Sequence, residues 1–165
     1  MTDDDLIESH RWRPLRLLLD AMDNDIASLY DEAGLAGIRP RFAAPLIQLG
    51  RRGPLTIQEL ATAVEVTHSA MSQTAAAMRA AGLVESAEHP TGRTRRIRLT
   101  AQGQAALPFV EAEWRATEAA VRALEAEIPY PLSQVVDDIR AVLARRSFRL
   151  RLADHLASIH KGRRR

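Results

Sequence analysis

Leu55-Thr56-Ile57-Gln58-Glu59-Leu60-Ala61-Thr62-Ala63-Val64, then Glu65-Val66, then Thr67-His68-Ser69-Ala70-Met71-Ser72-Gln73: this stretch decides how the chain folds. Thr56-Ile57-Gln58-Glu59 has the Thr-x-x-Glu form of a capping box, in which the hydroxyl accepts an early backbone N–H and the carboxylate reaches back. Leu60, Ala61 and Val64 then line one stripe of a short helix. Glu65-Val66-Thr67 interrupts the pattern, and Thr67 can cap a second helix running to about Ala81, with Gly82 placed for the left-handed residue that closes a helix. Two helices joined by so short a turn predict a helix-turn-helix, whose second helix is built to enter the DNA major groove.

That second helix divides into faces. At about 100° per residue, Met71, Thr74, Ala75 and Met78 share one side, and Ser69, Gln73, Ala76 and Ala80 point the opposite way. The first set suits a core. The second offers one long amide among small side chains, so its backbone can approach a groove closely. Glutamine pairs bidentately with adenine, and serine serves a base edge or a phosphate. Alanine-rich surface helices also arise from helix propensity alone, so the next segment matters.

Leu83-Val84 starts a short strand, Pro90-Thr91-Gly92 supplies a turn, and Arg93-Thr94-Arg95-Arg96-Ile97-Arg98-Leu99 alternates like a returning strand. Ile97 and Leu99 are expected inside, Arg96 and Arg98 outside, with Arg93 at or beside the tip. Four arginines in six residues, with no acid between Thr91 and Thr100, make a phosphate or minor-groove probe.

From about Arg41 to Gly103 the chain resembles winged helix-turn-helix regulators of the MarR family. The resemblance rests on Gly53-Pro54-Leu55-Thr56 with Glu59-Leu60-Ala61, on Thr67-His68-Ser69-Ala70-Met71-Ser72-Gln73, on Ala81-Gly82-Leu83-Val84, and on Arg98-Leu99-Thr100 with Gly103. It implies a dimeric bacterial repressor or activator with a ligand pocket between its dimer and DNA-binding regions. Two positions depart from the family. Its wing usually carries an Asp-x-Arg-like pair, whereas Gly92 precedes Arg93 here and that acidic brace is absent. His68 stands where the family often has Arg or another polar residue. A neutral imidazole still hydrogen-bonds a phosphate, and protonation near its ordinary pKa of ~6.5 adds charge; a merely solvated side chain is the alternative.

The chain has 165 residues, 46% of them hydrophobic, enough for one domain with a real core. Cysteine is absent, which excludes disulfides, thiolate metal sites and cysteine redox switching. Met1 is followed by Thr2-Asp3-Asp4-Asp5 rather than a long apolar run, so a cytoplasmic protein without a membrane segment is expected. The net charge of +2 hides a marked layout: residues 1–32 carry −6, 33–100 carry +5, 101–144 carry −4 and 145–165 carry +7. Positive field falls on the helix-turn-helix and wing, and on the tail, as steering toward phosphate requires.

Outside this module the sequence reads as helices. Leu15, Leu18, Leu19, Met22, Ile26 and Leu29 recur at helical steps between Ile7 and Glu32. Pro40 opens the next helix, and Pro45 falls inside it, predicting a kink. Thr100 caps a long helix that Pro108 should bend early, Pro129-Tyr130-Pro131 ends it, and Leu132 to about Ile159 forms a last one; residues 161–165 are expected to be disordered. The expected fold is therefore mainly α with a small β-hairpin wing: one domain over 1–165, a winged helix-turn-helix over 40–100, and helical dimerisation regions at 1–39 and 101–160. Such apolar flanks are more than one small module needs, and two half-site readers give useful specificity, so a homodimer is expected.

Chemistry of other kinds has little support. His155 and His160 are five apart, unlike an i, i+4 zinc pair, and there is no Gly-rich phosphate loop or Gly-x-Ser-x-Gly, so no catalytic residue, metal or cofactor is expected. An enzyme such as a fused acetyltransferase has no motif here. His10, Trp12 and Arg16 offer an aromatic wall and a cation, suited to an aromatic or acidic effector. The expected function is a sequence-specific regulator of transcription, most simply a repressor, on palindromic double-stranded DNA. Thr67 and His68 would meet phosphates, Ser69, Ser72 and Gln73 the major groove, and Arg93 and Arg95 would serve the wing, with either as the tip contact. The rival is a protein-interaction or nonspecific architectural winged helix, which has no need of Gln73 as a base reader.

Overall fold

A computed structural model describes residues 10–87 and 95–162, with the side chains of 161 and 162 left aside. The chain divides into two compact units, residues 1–115 and 116–165.

The first unit opens with α1 (Arg13–Glu32), where Pro14 sits in the first turn and needs no backbone donor. Residues 10–12, expected within a helix from about Ile7, precede it instead, because the proline favours the helix entrance over its interior; residues 1–9 lie outside the described ones. Gly34 and Gly37 follow with φ of 72° and 92°. A 3-10 turn (Pro40–Phe42) leads into α2 (Ala43–Arg52). The expected kink at Pro45 does not arise: the α-helix begins only at Ala43, so Pro45 lies in its first turn, where backbone N–H groups have no helical acceptor.

Next come β1 (Leu55–Thr56), α3 (Ile57–Val64) and α4 (His68–Ala80). The capping box is complete: the Glu59 N–H donates to Thr56 Oγ1 at 3.1 Å and the Thr56 N–H donates to Glu59 Oε2 at 2.8 Å. Glu65 turns the chain out of α3 in the left-handed region, φ 59°. α4 closes with Gly82 at φ 72° and with Leu83 N–H donating to the Met78 carbonyl at 3.0 Å, a Schellman ending.

Strands β2 (Val84–Ala87) and β3 (Arg96–Leu99) complete an antiparallel sheet of order β1-β3-β2. β3 is central, pairing Leu55↔Ile97 and Thr56↔Arg96 on one side and Val84↔Leu99 to Ala87↔Arg96 on the other. The pairing of Leu55-Thr56 as a strand was not anticipated, since two residues are too few to show a period. β3 starts at Arg96, not Arg93; Arg95 precedes it, and residues 93 and 94 lie outside the described ones.

Thr100 then caps α5 (Ala101–Ala126), accepting the Gly103 N–H at 3.1 Å while donating to the Gly82 carbonyl at 2.6 Å. A Cβ on Gly103 would collide with the Leu83 carbonyl oxygen, so glycine lets α5 seat directly on the end of α4. The core is formed by Tyr30, Phe42, Leu46, Leu60, Met71, Met78 and Val110 with Ile97 and Leu99 of the wing strand. Each such side chain contributes about 1.5–3 kcal/mol on burial, which fixes α4 from behind.

The second unit holds the end of α5, then α6 (Leu132–Arg145) and α7 (Phe148–Gly162). Glu125 ties the turn, accepting the Ser133 N–H at 2.7 Å and its hydroxyl at 2.8 Å. The single last helix expected from Leu132 to Ile159 is instead two. Arg146 takes an extended conformation (φ −151°, ψ 112°), and Arg151 turns back to donate to the Arg146 and Val142 carbonyls at 3.1 and 3.3 Å, satisfying the end of α6. α7 runs through Gly162, so residues 161 and 162 are helical where a disordered tail was expected; residues 163–165 lie outside the described ones.

Candidate nucleic-acid interface

α4 presents two faces of different chemistry. Met71, Ala75 and Met78 are buried, and His68, Ser69, Ser72, Gln73, Ala76 and Ala80 are exposed. Thr67 is the N-cap, its Oγ1 accepting the Ala70 N–H at 3.2 Å. From Val66 to Val84 the sequence contains no carboxylate. The exposed face is thus free of like charge toward phosphate, with amide and hydroxyl groups standing over a backbone that small residues leave accessible. Thr67, His68, Ser69, Ser72 and Gln73 are brought together along the first turns of one helix.

Arg79 belongs to the same surface and was not singled out from the sequence. It is exposed, lies seven residues beyond Ser72 and so nearly beneath it on the helix, and has no ion pair among the described residues. The spacing from Ser72 was the available signal. Arg39 and Arg41, exposed on either side of Pro40, add cations on a turn that packs against α4, and Arg41 lies 5.6 Å over the Phe42 ring.

In the wing the four arginines have different roles. Arg93 lies outside the described residues, and Arg95 is exposed. Arg98 donates to Glu85 on the paired strand at 2.8 Å. Arg96 is only partly exposed: it donates to the Pro54 carbonyl at 2.8 Å and to Glu59 Oε1 at 3.1 Å. The sequence run lacks acids, but the sheet brings two from elsewhere. Arg98 faces outward as expected though paired, whereas Arg96, expected outside, is turned back onto Pro54 and Glu59. Glu59 is held below the usual carboxylate range chiefly by the Thr56 N–H, with Arg96 adding to it.

Behind this surface Tyr30, fully buried, donates its hydroxyl to Glu113 Oε2 at 2.6 Å, with Phe109 edge-on at 5.6 Å. Burial, then the Glu113 carboxylate, pushes the tyrosine pKa well above its ordinary range. A cavity of about 200 Å³ opens between the Gly34–Ile38 turn, Ala81 and Leu83 at the end of α4, and Gln102, Ala105 and Ala106 of α5. His10 and Arg16 do meet, 3.1 Å apart at the start of α1, and Trp12 is half exposed, but none of the three lines this cavity. Among the described residues no group of three His, Asp or Glu could hold a metal ion, and no helix is long and apolar enough to cross a membrane.

Comparison with known proteins agrees with this geometry. Residues 45–93 match the model of the MarR family. The S. aureus MepR–DNA complex is similar over 81% of this chain and 96% of its own, at 17% identity and TM-score 0.57. The transcriptional regulator SlyA covers 88% of this chain and 99% of its own, at 16% identity and TM-score 0.56. The M. tuberculosis transcriptional regulator MosR covers 81% and 93%, at 22% identity and TM-score 0.53. No curated protein matches the sequence. At these identities the structural likenesses establish the fold.

Proposed function

Because residues 45–93 match the MarR family, we propose that the chain is a sequence-specific DNA-binding regulator of transcription, a repressor acting as a homodimer on a palindromic operator. The observation that carries this reading is the exposed face of α4. A helix anchored by Met71, Ala75 and Met78 offers Ser69, Ser72 and Gln73 outward with no carboxylate on it. Thr67 and His68 at the start of α4, and Arg95 just ahead of the returning wing strand, would serve as phosphate contacts, and Arg79 extends the face. A protein of the same fold has been solved as a DNA complex, which supports the same use of the surface here. The symmetry of a dimer would give each α4 one half-site of a palindrome.

Release by a small ligand fits the cavity beside Ala81 and Leu83. A molecule seated there would touch the residues that end α4 and the first turns of α5. His10, Trp12 and Arg16 remain a second candidate place for an aromatic or acidic effector.

Fluorescence anisotropy with duplexes from upstream of the protein's own gene and its neighbours tests the reading. One duplex should bind at least about 10³-fold more tightly than random DNA at equal salt. Equal affinity for all duplexes would favour the nonspecific architectural alternative instead.

A further inference from the structure

We propose that Arg96 is the brace of the wing, tying the end of strand β3 to the capping box of α3 so that Arg95 is held where it can meet DNA phosphate. The proposal rests on the DNA-binding reading above for its functional consequence, though not for its geometry.

Arg96 occupies the last rung of the sheet. It pairs with Thr56 on one side and Ala87 on the other, and the chain leaves the sheet immediately before it, at Arg95. β1 is two residues long, so the β1–β3 ladder alone holds this corner weakly. The Arg96 side chain supplies what the ladder lacks. One terminal nitrogen donates to the Pro54 carbonyl at 2.8 Å, just ahead of β1, and the other to Glu59 Oε1 at 3.1 Å, in the first turn of α3. The second Glu59 oxygen is already engaged by the Thr56 N–H at 2.8 Å. One carboxylate therefore closes the helix start and grips the wing at the same time.

The guanidinium fork suits this task. Its two ends reach a carbonyl and a carboxylate at once, as a lysine cannot. Its Nε is buried with no hydrogen-bond partner among the described residues, so the grip depends on the two terminal nitrogens. Glu59, 37 residues upstream of Arg96, brings its carboxylate to the wing from the first turn of α3. The pair is partly exposed, with side chains 31% and 41% accessible, so it adds little to global stability and its removal should leave the fold intact. What it fixes is direction.

The test is a double-mutant cycle on the full-length protein, read by DNA affinity, with backbone amide exchange of residues 95–97 measured on the free protein. Arg95→Ala should weaken binding to the cognate duplex roughly tenfold in the native background but less than about twofold when Arg96 is already Ala. Glu59→Gln, whose amide oxygen can still accept the Thr56 N–H, should reproduce the Arg96→Ala loss, and Arg96→Lys should fall between. Exchange at 95–97 should quicken in Arg96→Ala and Glu59→Gln while the melting temperature barely moves. Additive losses, with the salt slope falling by about one for Arg96→Ala itself, would make Arg96 a direct phosphate contact and overturn the brace. Unchanged exchange would overturn it too. A native protein that binds no duplex would defeat the DNA-binding reading, and the exchange data would still decide the brace.

Discussion

Gln73 stands at the centre of the exposed face of α4, opposite Met71, Ala75 and Met78, with alanines on either side that leave the backbone accessible. If its amide pairs with a base edge, Gln73→Ala should cost about 1–3 kcal/mol on the cognate duplex and far less on random DNA. Equal losses on both, measured by anisotropy titration, would remove Gln73 from base reading. Tyr30 makes a different residue-scale case. Its hydroxyl gives a buried carboxylate a charge-assisted hydrogen bond, so Tyr30→Phe should destabilise the fold by about 1.5–3 kcal/mol in denaturant titration. Its pKa is raised in the folded state, so above pH ~10 the unfolded chain loses this proton while the folded chain keeps it. Stability should therefore fall as pH rises past the ordinary tyrosine range, and Tyr30→Phe should flatten that fall. Gln73 was legible because its face follows from helical spacing alone. The Tyr30–Glu113 and Arg96–Glu59 pairs were not, since each joins positions that only the folded chain brings near.

At the scale of elements, local chemistry read from the sequence survived wherever its partners were local. Thr56 with Glu59, Thr67 with Ala70 and Gly82 after α4 each close within a few residues, and each stands as the spacing predicts. Pro45 and the last helix went differently for physical reasons. A 3-10 turn displaced the α-helix start, and Arg151 capped the end of α6 from beyond the break, satisfying carbonyls that an unbroken helix would have used. In the proposed reading the wing carries a phosphate contact. Arg95→Ala should flatten the slope of log K against log salt by about one for each phosphate that the side chain neutralises, across all sequences, because phosphates carry no base identity. A slope unchanged in that variant would take Arg95 out of the interface. Behind the wing, Gly103→Ala should destabilise by about 1–3 kcal/mol, because its new methyl meets the Leu83 backbone rather than a side chain that can move. A melting temperature equal to that of the native protein would show that α5 can shift to admit it.

At the scale of the whole molecule, the proposed homodimer would account for the unburied apolar surface. α6 contains no buried residue, yet Val135, Val136 and Val142 line it; α7 adds Phe148, Leu152, Leu156 and Ile159, all exposed. On α1, Leu18 and Leu29 are 54% and 50% exposed, while Tyr30 on the same helix is in the core. Surfaces of this extent are rarely left to water by a soluble monomer. Charge suits pairing between copies as well: residues 1–32 carry −6 and residues 145–165 carry +7. Apolar burial, at ~25 cal/mol per Å², would supply most of the affinity before association costs, and exposed ion pairs would chiefly select the pairing. Removing residues 1–32 would take Tyr30 from the core along with the surface leucines, so point changes separate the two effects. Leu18→Glu with Leu29→Glu should leave helicity intact by circular dichroism but convert a sedimenting dimer to monomer, and operator affinity should fall with it, since each copy then reads a half-site alone. Arg149→Ala should weaken the dimer only modestly, and less in high salt. A Leu18→Glu, Leu29→Glu protein that still sediments as a dimer would move the interface off α1. The apolar stripes of α6 and α7 would then have to carry the assembly by themselves, and the exposed leucines of α1 would face water in the complex.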